Sequence, residues 1–459
     1  MFNDTIAAIS TPIGIGGIGI IRVSGNDAIE IVDEIFKSPS NKKLVDMQSH
    51  TIHYGHIVNN NQQIIDEVLV MLMKAPKTFT RENVIEINCH GGHVVLENVL
   101  MQLVKHGARL AEQGEFTKRA FLNGRIDLAQ VEAIMDIIEA KTELGLNQAI
   151  NQLEGTLSKQ IKKYQDTLIQ IIARIEVSID YPEYDDDEII SNNFKTDISQ
   201  LNHELKALLQ TADTGKMIRD GVCVAIIGQP NVGKSSLLNA LLEEEKAIVT
   251  PIAGTTRDVI EAYLNIEGMP FLLMDTAGLR ETEDIVEQIG VKKSKESVLK
   301  ADILLMLIDS SRNLTSDEIE LIQNVQNKDV IYVRNKIDLE PLVTHDLLKS
   351  YHNEAIIIDI SAKNQLGLDE VRQQLKQYVL NNKKTPQNNA VISNHRQKES
   401  LLKAISSLDK VEEAINLSLP EDCLAIDLHD AYGFLGMVVG EALKEEIINE
   451  LFGRFCLGK

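Results

Sequence analysis

Residues 228–235 read GQPNVGKS, placing Gly228, Gly233, Lys234 and Ser235 in the pattern G-x-x-x-x-G-K-S between the apolar run VCVAIIG and the helix-like SSLLNALL. Glycines at those places let backbone N–H groups close around phosphates, and a helix opening there adds a favourable dipole. Lys234 reaches β and γ phosphates and is a catalytic candidate; the Ser235 hydroxyl is placed for Mg2+. The chemistry implied is binding and turnover of a nucleoside triphosphate.

Four further stretches sharpen that reading. DTAG (Asp275 to Gly278) follows the apolar run MPFLLM, with Asp275 placed to support Mg2+ and Gly278 near a γ-phosphate. NKID (Asn335 to Asp338) follows DVIYVRN, where a buried carboxylate at 338 accepts two hydrogen bonds from a guanine edge that adenine cannot supply. SAK (Ser361 to Lys363) follows IIIDI and completes a base pocket, and TTRD after TPIAG supplies Thr256 for Mg2+. In this order, each at a strand end, the elements match the P-loop GTPases. The nucleotide-facing residues expected are Asn231, Val232, Gly233, Lys234, Ser235 and Ser236 in the phosphate loop, and Thr250, Pro251, Ile252, Ala253, Gly254, Thr255 and Thr256 in the switch. They continue with Asp275, Thr276, Ala277 and Gly278, then Asn335, Lys336, Ile337 and Asp338, and end with Ser361, Ala362 and Lys363.

Hydrolysis needs a water aligned on the γ-phosphate. Many relatives carry Gln after DTAG; here the residue is Leu279, which cannot orient water. Glu281, Glu283, Asp284 and Glu287 lie just downstream, each taken singly more simply read as a solvated charge. No arginine finger is obvious in cis. A monovalent cation would supply the positive charge, with Asn231 either its oxygen ligand or a turn residue.

The elements that must position these residues follow from periodicity. Residues 1–118 alternate β-rich runs (TIAAIS, GIGIIRVSG, QIIDEVLVMLM, NVIEINCH) with helical stretches near 26–37 and 93–105, an α+β pattern. Residues 119–215 are helical, with Leu153, Leu157, Ile161, Tyr164, Leu168, Ile171 and Ile175 forming one long stripe that ends at DYPEYDDDE, where Pro182 forbids continuation. Residues 216–379 alternate strand and helix, the signature of an α/β domain with a mostly parallel sheet. After the polar NNKKTPQNNA, residues 380–459 are helical again, with Leu401, Ile405, Leu408, Val411 and Ile415 on one face. Two helical segments flanking a compact unit, each with an apolar stripe needing a partner, imply one interrupted helical domain.

Composition excludes several classes. At 459 residues the chain exceeds one hydrophobic core. No apolar run approaches the roughly 20 residues of a membrane span. The start, MFNDTIAAIS, has neither basic n-region nor cleavage pattern, so a cytoplasmic protein is expected. A net charge of -22 disfavours sequence-independent nucleic-acid binding by this chain alone. Cys89, Cys223, Cys423 and Cys456 form no C-x-x-C pair, and the first three read as buried free thiols. Cys456 is misplaced for prenylation, given Gly458 and Lys459 after it.

GQPNVGKS, TTRD, DTAGLR, NKID, the helical flanks and the terminal FGRFCLGK together resemble the MnmE (TrmE) family of tRNA-modification GTPases over essentially the whole chain. The resemblance implies a homodimer whose nucleotide domains are activated by K+-dependent dimerisation. It implies a partner, MnmG (GidA), that uses FAD and NADH, and a carboxymethylaminomethyl or aminomethyl group installed on wobble uridine of tRNA. By position, Asn231, Thr250, Ile252 and Thr255 would ligate K+, Ser235 and Thr256 would hold Mg2+, and Glu287 would organise the water. The family's N-terminal domain resembles folate-binding aminomethyltransferase domains; its matching residues for 5-formyltetrahydrofolate are Arg22, Glu86, Arg125 and Lys459, with Cys456 a candidate nucleophile or base.

Two other patterns have plainer readings. Gly14, Gly16 and Gly19 imitate a dinucleotide fingerprint, but a strand-like IGIIRVSG follows where a helix should open. His90 and His93 in HGGH lack a third metal ligand nearby and read as a turn. The rival functions are a ribosome-assembly GTPase switch, which would carry a basic RNA-binding module absent here, and a standalone folate-dependent transferase with a regulatory GTPase.

Overall fold

The computed structural model describes residues 4–12, 14–180, 187–243, 261–275, 298–382, 390–417, 419–441, 445–453, 455 and 458. The chain forms two compact units, Met1–Met135 with Gly433–Lys459, and Asp136–Tyr432.

The first unit is built on β1 (Ile6–Ile9), β2 (Gly19–Ser24), α1 (Ala28–Ile35), β3 (Phe36–Lys37), β4 (Thr51–Val58), β5 (Ile64–Met73), β6 (Val84–Cys89), α2 (His93–Lys105), β7 (Arg109–Leu110), α3 (Glu115–Leu122) and the start of α4 (Leu128–Glu139). Its sheet has the order β3-β4-β5-β6-β2-β1-β7. All neighbours are antiparallel except β1 and β7. Alternation along β2, β5 and β6 sends Ile21, Val23, Val68, Val70, Ile85 and Ile87 to one face, where Val32 of α1 and Val99 of α2 cover them. Each such side chain contributes roughly 1.5–3 kcal/mol on burial. The glycine-rich segment before β2 leads into a strand antiparallel to β1, so no dinucleotide-type helix opens there.

The second unit begins with α5 (Glu143–Leu153), α6 (Thr156–Asp180), α7 (Asp187–Leu209) and α8 (Ala212–Asp220). The apolar stripe of residues 153–175 therefore spans two helices rather than one. Gly155, at φ +81, ends the first of them, because a left-handed residue cannot continue an α-helix. Leu157, Ile161, Leu168 and Ile175 are all buried. Residues 181–186 of the acidic break, Pro182 among them, lie outside the described residues.

The α/β part follows as β8 (Val222–Ile227), α9 (Lys234–Glu243), β9 (Glu261–Ile266), β10 (Met269–Asp275), β11 (Ile303–Asp309), α10 (Ser316–Asn324), β12 (Val330–Asn335), α11 (His345–Tyr351), β13 (Ile356–Asp359) and α12 (Leu368–Asn382). The sheet order is β13-β12-β11-β8-β10-β9. Five strands are parallel and the edge strand β9 is antiparallel to β10. Every residue of β11 and β12 is buried, as expected of strands covered on both faces. One face packs on Leu237, Leu241, Val371 and Leu375; the other packs on Ile322 and Leu348.

Helix α13 (His395–Asn416) then packs on α7. Asn202 and Lys206 donate to Asp409 at 2.8 and 2.7 Å, and the Ser199 hydroxyl donates to Glu412 at 2.9 Å. Helix α14 (Glu421–Val439) follows, and α15 (Glu445–Phe452) belongs to the first unit, where Phe452 and Phe455 pack on Ala120 and Val131.

Candidate functional site

Strand β8 ends at Ile227 and the chain turns at Gly228, whose φ is +149 and where a Cβ would lie 2.5 Å from the Leu307 carbonyl oxygen. Asn231 also adopts a left-handed conformation, φ +62, and is exposed. Gly233, φ +102, comes so close to Asn335 that a Cβ would sit 2.2 Å from its Nδ2. Lys234 opens α9, and its Nζ donates to the Gly228 and Gln229 carbonyls, 2.9 Å each. The ammonium is thus held at the mouth of a loop whose N–H groups and helix N-terminus suit phosphate oxygens. Val232 is buried, Ser235 half-buried and Ser236 exposed.

The other end of the pocket hangs on Asn335, 3% exposed at the end of β12. Its Nδ2 donates to the Val232 carbonyl at 2.8 Å, and its Oδ1 accepts from the Ala362 N–H at 3.0 Å. Asn335 therefore ties the phosphate loop to the SAK loop, while Ile337 N–H donates to the Ile360 carbonyl. Ser361 donates its hydroxyl to Asp338 at 2.6 Å. That hydrogen bond, then the charges of Lys363 and Lys336, hold the Asp338 carboxyl below its ordinary range, so it is ionised and ready to accept from a donor–donor base edge. Asp338 is exposed, not buried as the motif suggested, because it lies in the turn beyond the end of β12. Lys363 is likewise exposed. Lys336, φ +65, reaches Asp309 at 2.6 Å.

Between these ends the backbone of Asp275 closes β10 beside Ile226 of β8. Thr250, Pro251, Ile252, Ala253, Gly254, Thr255, Thr256, Thr276, Ala277, Gly278, Leu279 and the four downstream acids including Glu287 lie outside the described residues.

A second cluster sits in the first unit. Arg22 of β2 and Glu86 of β6 are cross-strand partners joined by an ion pair of 2.8 Å. Arg22 also donates to the Gly458 carbonyl at 3.3 Å, and Ser10 donates to the same oxygen. Its guanidinium lies 5.9 Å from the Phe79 ring centroid, and that of Arg125 lies 4.9 Å from it. The structure thus brings Arg125 and the Glu86-paired Arg22 to the Phe79 ring, which the sequence reading missed; nothing in the local pattern TFTRE marks it. Cys456 and Lys459 lie outside the described residues.

The remaining candidates resolve simply. His90 is paired with Asp66 at 2.7 Å and His93 with Glu97 at 3.2 Å. No group of three or more His, Cys, Asp or Glu that could hold a metal occurs among the described residues. Of the thiols read as buried, only Cys89 is so, and burial pushes it up to about 12. Cys223 is half-buried, and Cys423 is exposed because it occupies the solvent-facing first turn of α14. No helix among the described residues is long and apolar enough to cross a membrane.

The parallel sheet, the phosphate loop and the Asn335-tethered base pocket define a P-loop GTPase. Residues 5–125 match the family model for the GTP-binding protein TrmE N-terminus, and residues 128–456 match the MnmE helical domain. The tRNA modification GTPase MnmE of Bacillus pumilus is 47% identical, covering 99% of this chain and 100% of that protein. The protein of that name from Bacillus mycoides is 49% identical, with 99% of each covered. Among solved structures, a variant of Aquifex aeolicus Era bound to GDP and AlF4- is 31% identical over 40% of this chain and 65% of that one, with a TM-score of 0.28. The chain belongs to the MnmE family of tRNA modification GTPases.

Proposed function

We propose that this GTPase uses GTP hydrolysis to gate modification of wobble uridine in tRNA, installing a carboxymethylaminomethyl or aminomethyl group at C5 together with an FAD- and NADH-using partner of the MnmG type in the cytoplasm. The observation that carries the nucleotide half is Asn335, which joins the phosphate loop at Val232 to the base loop at Ala362 and makes both ends one pocket. Family membership supports the tRNA half.

In this reading Lys234 leaves the Gly228 and Gln229 carbonyls for the phosphates, and Asp338 reads the guanine edge. Mg2+ would be held by Ser235 and Thr256 and would neutralise phosphate charge. Ser235, in the first turn of α9 beside Lys234, fits that duty. K+ would be held by Asn231, Thr250, Ile252 and Thr255 when two nucleotide domains of a homodimer meet, taking the place of an arginine finger. The exposed, left-handed Asn231 suits a ligand at such a surface. Glu287 would orient the attacking water that Leu279 cannot. In the first unit, Arg22, Glu86, Arg125 and Lys459 would bind 5-formyltetrahydrofolate, with Cys456 nearby. The Arg22 and Arg125 guanidinium groups, both over the Phe79 ring, suit a flat, acidic ligand.

Nucleoside analysis of tRNA from a strain lacking this chain tests the proposal: wobble uridines should lose the C5 substituent, and an unchanged profile overturns it. Glu287→Ala should bind GTP but not turn it over. Hydrolysis should be faster in K+ than in Na+; equal rates reject the cation site.

A further inference from the structure

The geometry points to Asp309 as a positioning residue for the guanine pocket, acting through Lys336. The inference rests on the GTP-binding reading above and names a residue outside every motif that carried it. Asp309 is the last residue of β11 and pairs in register with Asn335 of β12. It is 7% exposed, an unusual place for a carboxylate, and three donors hold it there. The Ser311 N–H and hydroxyl take Oδ1 at 3.0 and 2.7 Å, and the Lys336 ammonium takes Oδ2 at 2.6 Å.

A lysine stem has four rotatable carbons and a strongly hydrated head, so left alone it samples many rotamers. Here its backbone is set left-handed at φ +65, and its head is fixed on a carboxylate that Ser311 already orients. The stem between those two anchors is laid out before any ligand arrives. Lys336 stands between Asn335, which ties the loops together, and Asp338, which faces the base edge. A stem fixed there forms a ready-made apolar wall for a flat purine, and binding does not have to immobilise it. The pair Asp309–Ser311 would thus act on affinity for the nucleotide base and leave the phosphate chemistry alone.

The test uses the full chain, fluorescent GDP and a double-mutant cycle of Asp309→Asn and Lys336→Met. Wild type is measured first with GDP and ADP. Absence of a guanine preference there would fail the GTP-binding reading itself, and this inference with it. Given that preference, Asp309→Asn should weaken GDP binding about tenfold, raise KM for GTP in step, and leave kcat at saturation within twofold. In the Lys336→Met background the same change should have little further effect on GDP affinity. Unchanged GDP affinity in Asp309→Asn, or full additivity of the two substitutions, overturns the proposal. So does a fall in kcat without a rise in KM. Thermal unfolding without nucleotide, expected to be similar for Asp309→Asn and wild type, separates loss of positioning from loss of fold.

Discussion

The Asn335 side-chain amide donates to the Val232 carbonyl across 103 positions of sequence and accepts from the Ala362 N–H with its other end. One buried side chain therefore sets the distance between the part of the pocket suited to phosphate and the part suited to a base.

Replacing Asn335 with Ala should remove both bonds and leave the Ala362 N–H without its partner. Leaving such a buried group unsatisfied costs about 1–3 kcal/mol. Denaturant unfolding should show that loss, and GTP affinity should fall further than stability alone accounts for. An Asn335→Ala protein with unaltered GTP binding would contradict the role given to this residue.

Gly233→Ala adds a methyl 2.2 Å from Asn335 Nδ2, at a φ of +102 that disfavours any side chain. The backbone strain alone is of order 1–3 kcal/mol, and relief requires moving the very group that ties the loops together. Nucleotide binding, followed by calorimetry, should be lost while circular dichroism retains the fold.

Gly215 of α8 lies where a Cβ would come within 2.1 Å of the Ile392 carbonyl oxygen, at the crossing of the chain segments that enter and leave the α/β part. The same crossing is tied by the Ile392 N–H, which donates to Thr211 Oγ1 at 3.1 Å. Gly215→Ala should cost about 1–3 kcal/mol through overpacking. Thr211→Val should cost a comparable amount by stranding the N–H. Unfolding midpoints equal to wild type for both would show that the crossing is loose.

Arg119, fully buried, binds Asp4, Glu82 and Glu115. Burial pushes the Asp4 and Glu115 carboxyls up, but bonds from Arg109 and Arg119 outweigh it and leave both below their ordinary values. A carboxyl with a depressed folded pKa stabilises fully above its unfolded value, about 4–4.5, and that stability is lost as pH falls through the folded value. Arg119→Met takes from these carboxylates their buried partner, leaving Arg109 on Asp4 and Glu115, and should cost up to about 3–5 kcal/mol at pH 7. The loss should shrink as acid protonates them. Unfolding measured at pH 7 and again near pH 4 distinguishes this from a packing defect, whose cost would not depend on pH.

Much of the candidate nucleotide site could be picked out in the sequence because its residues are local. Gly228, Gly233, Lys234 and Ser235 fall within one strand-to-helix turn, and the buried runs VCVAII and VIYVRN announce the strands that carry them. What misled the reading was also local: a stripe of apolar residues continues across Gly155 without showing the break, and NKID does not say that Asp338 stands in the open.

By itself, the amino-acid sequence determined the strand-to-helix turn of the P-loop pattern, a largely parallel sheet between helical flanks and a net charge of -22, since each depends on neighbouring residues and their period. Only the tertiary structure decided that Asp309 anchors Lys336, that Arg22 and Arg125 both come over the Phe79 ring, and that the Gly458 carbonyl, 436 positions away, closes on Arg22. Those pairings arise from sheet register and chain crossings, and register is set by the whole packed core rather than by the residues that meet.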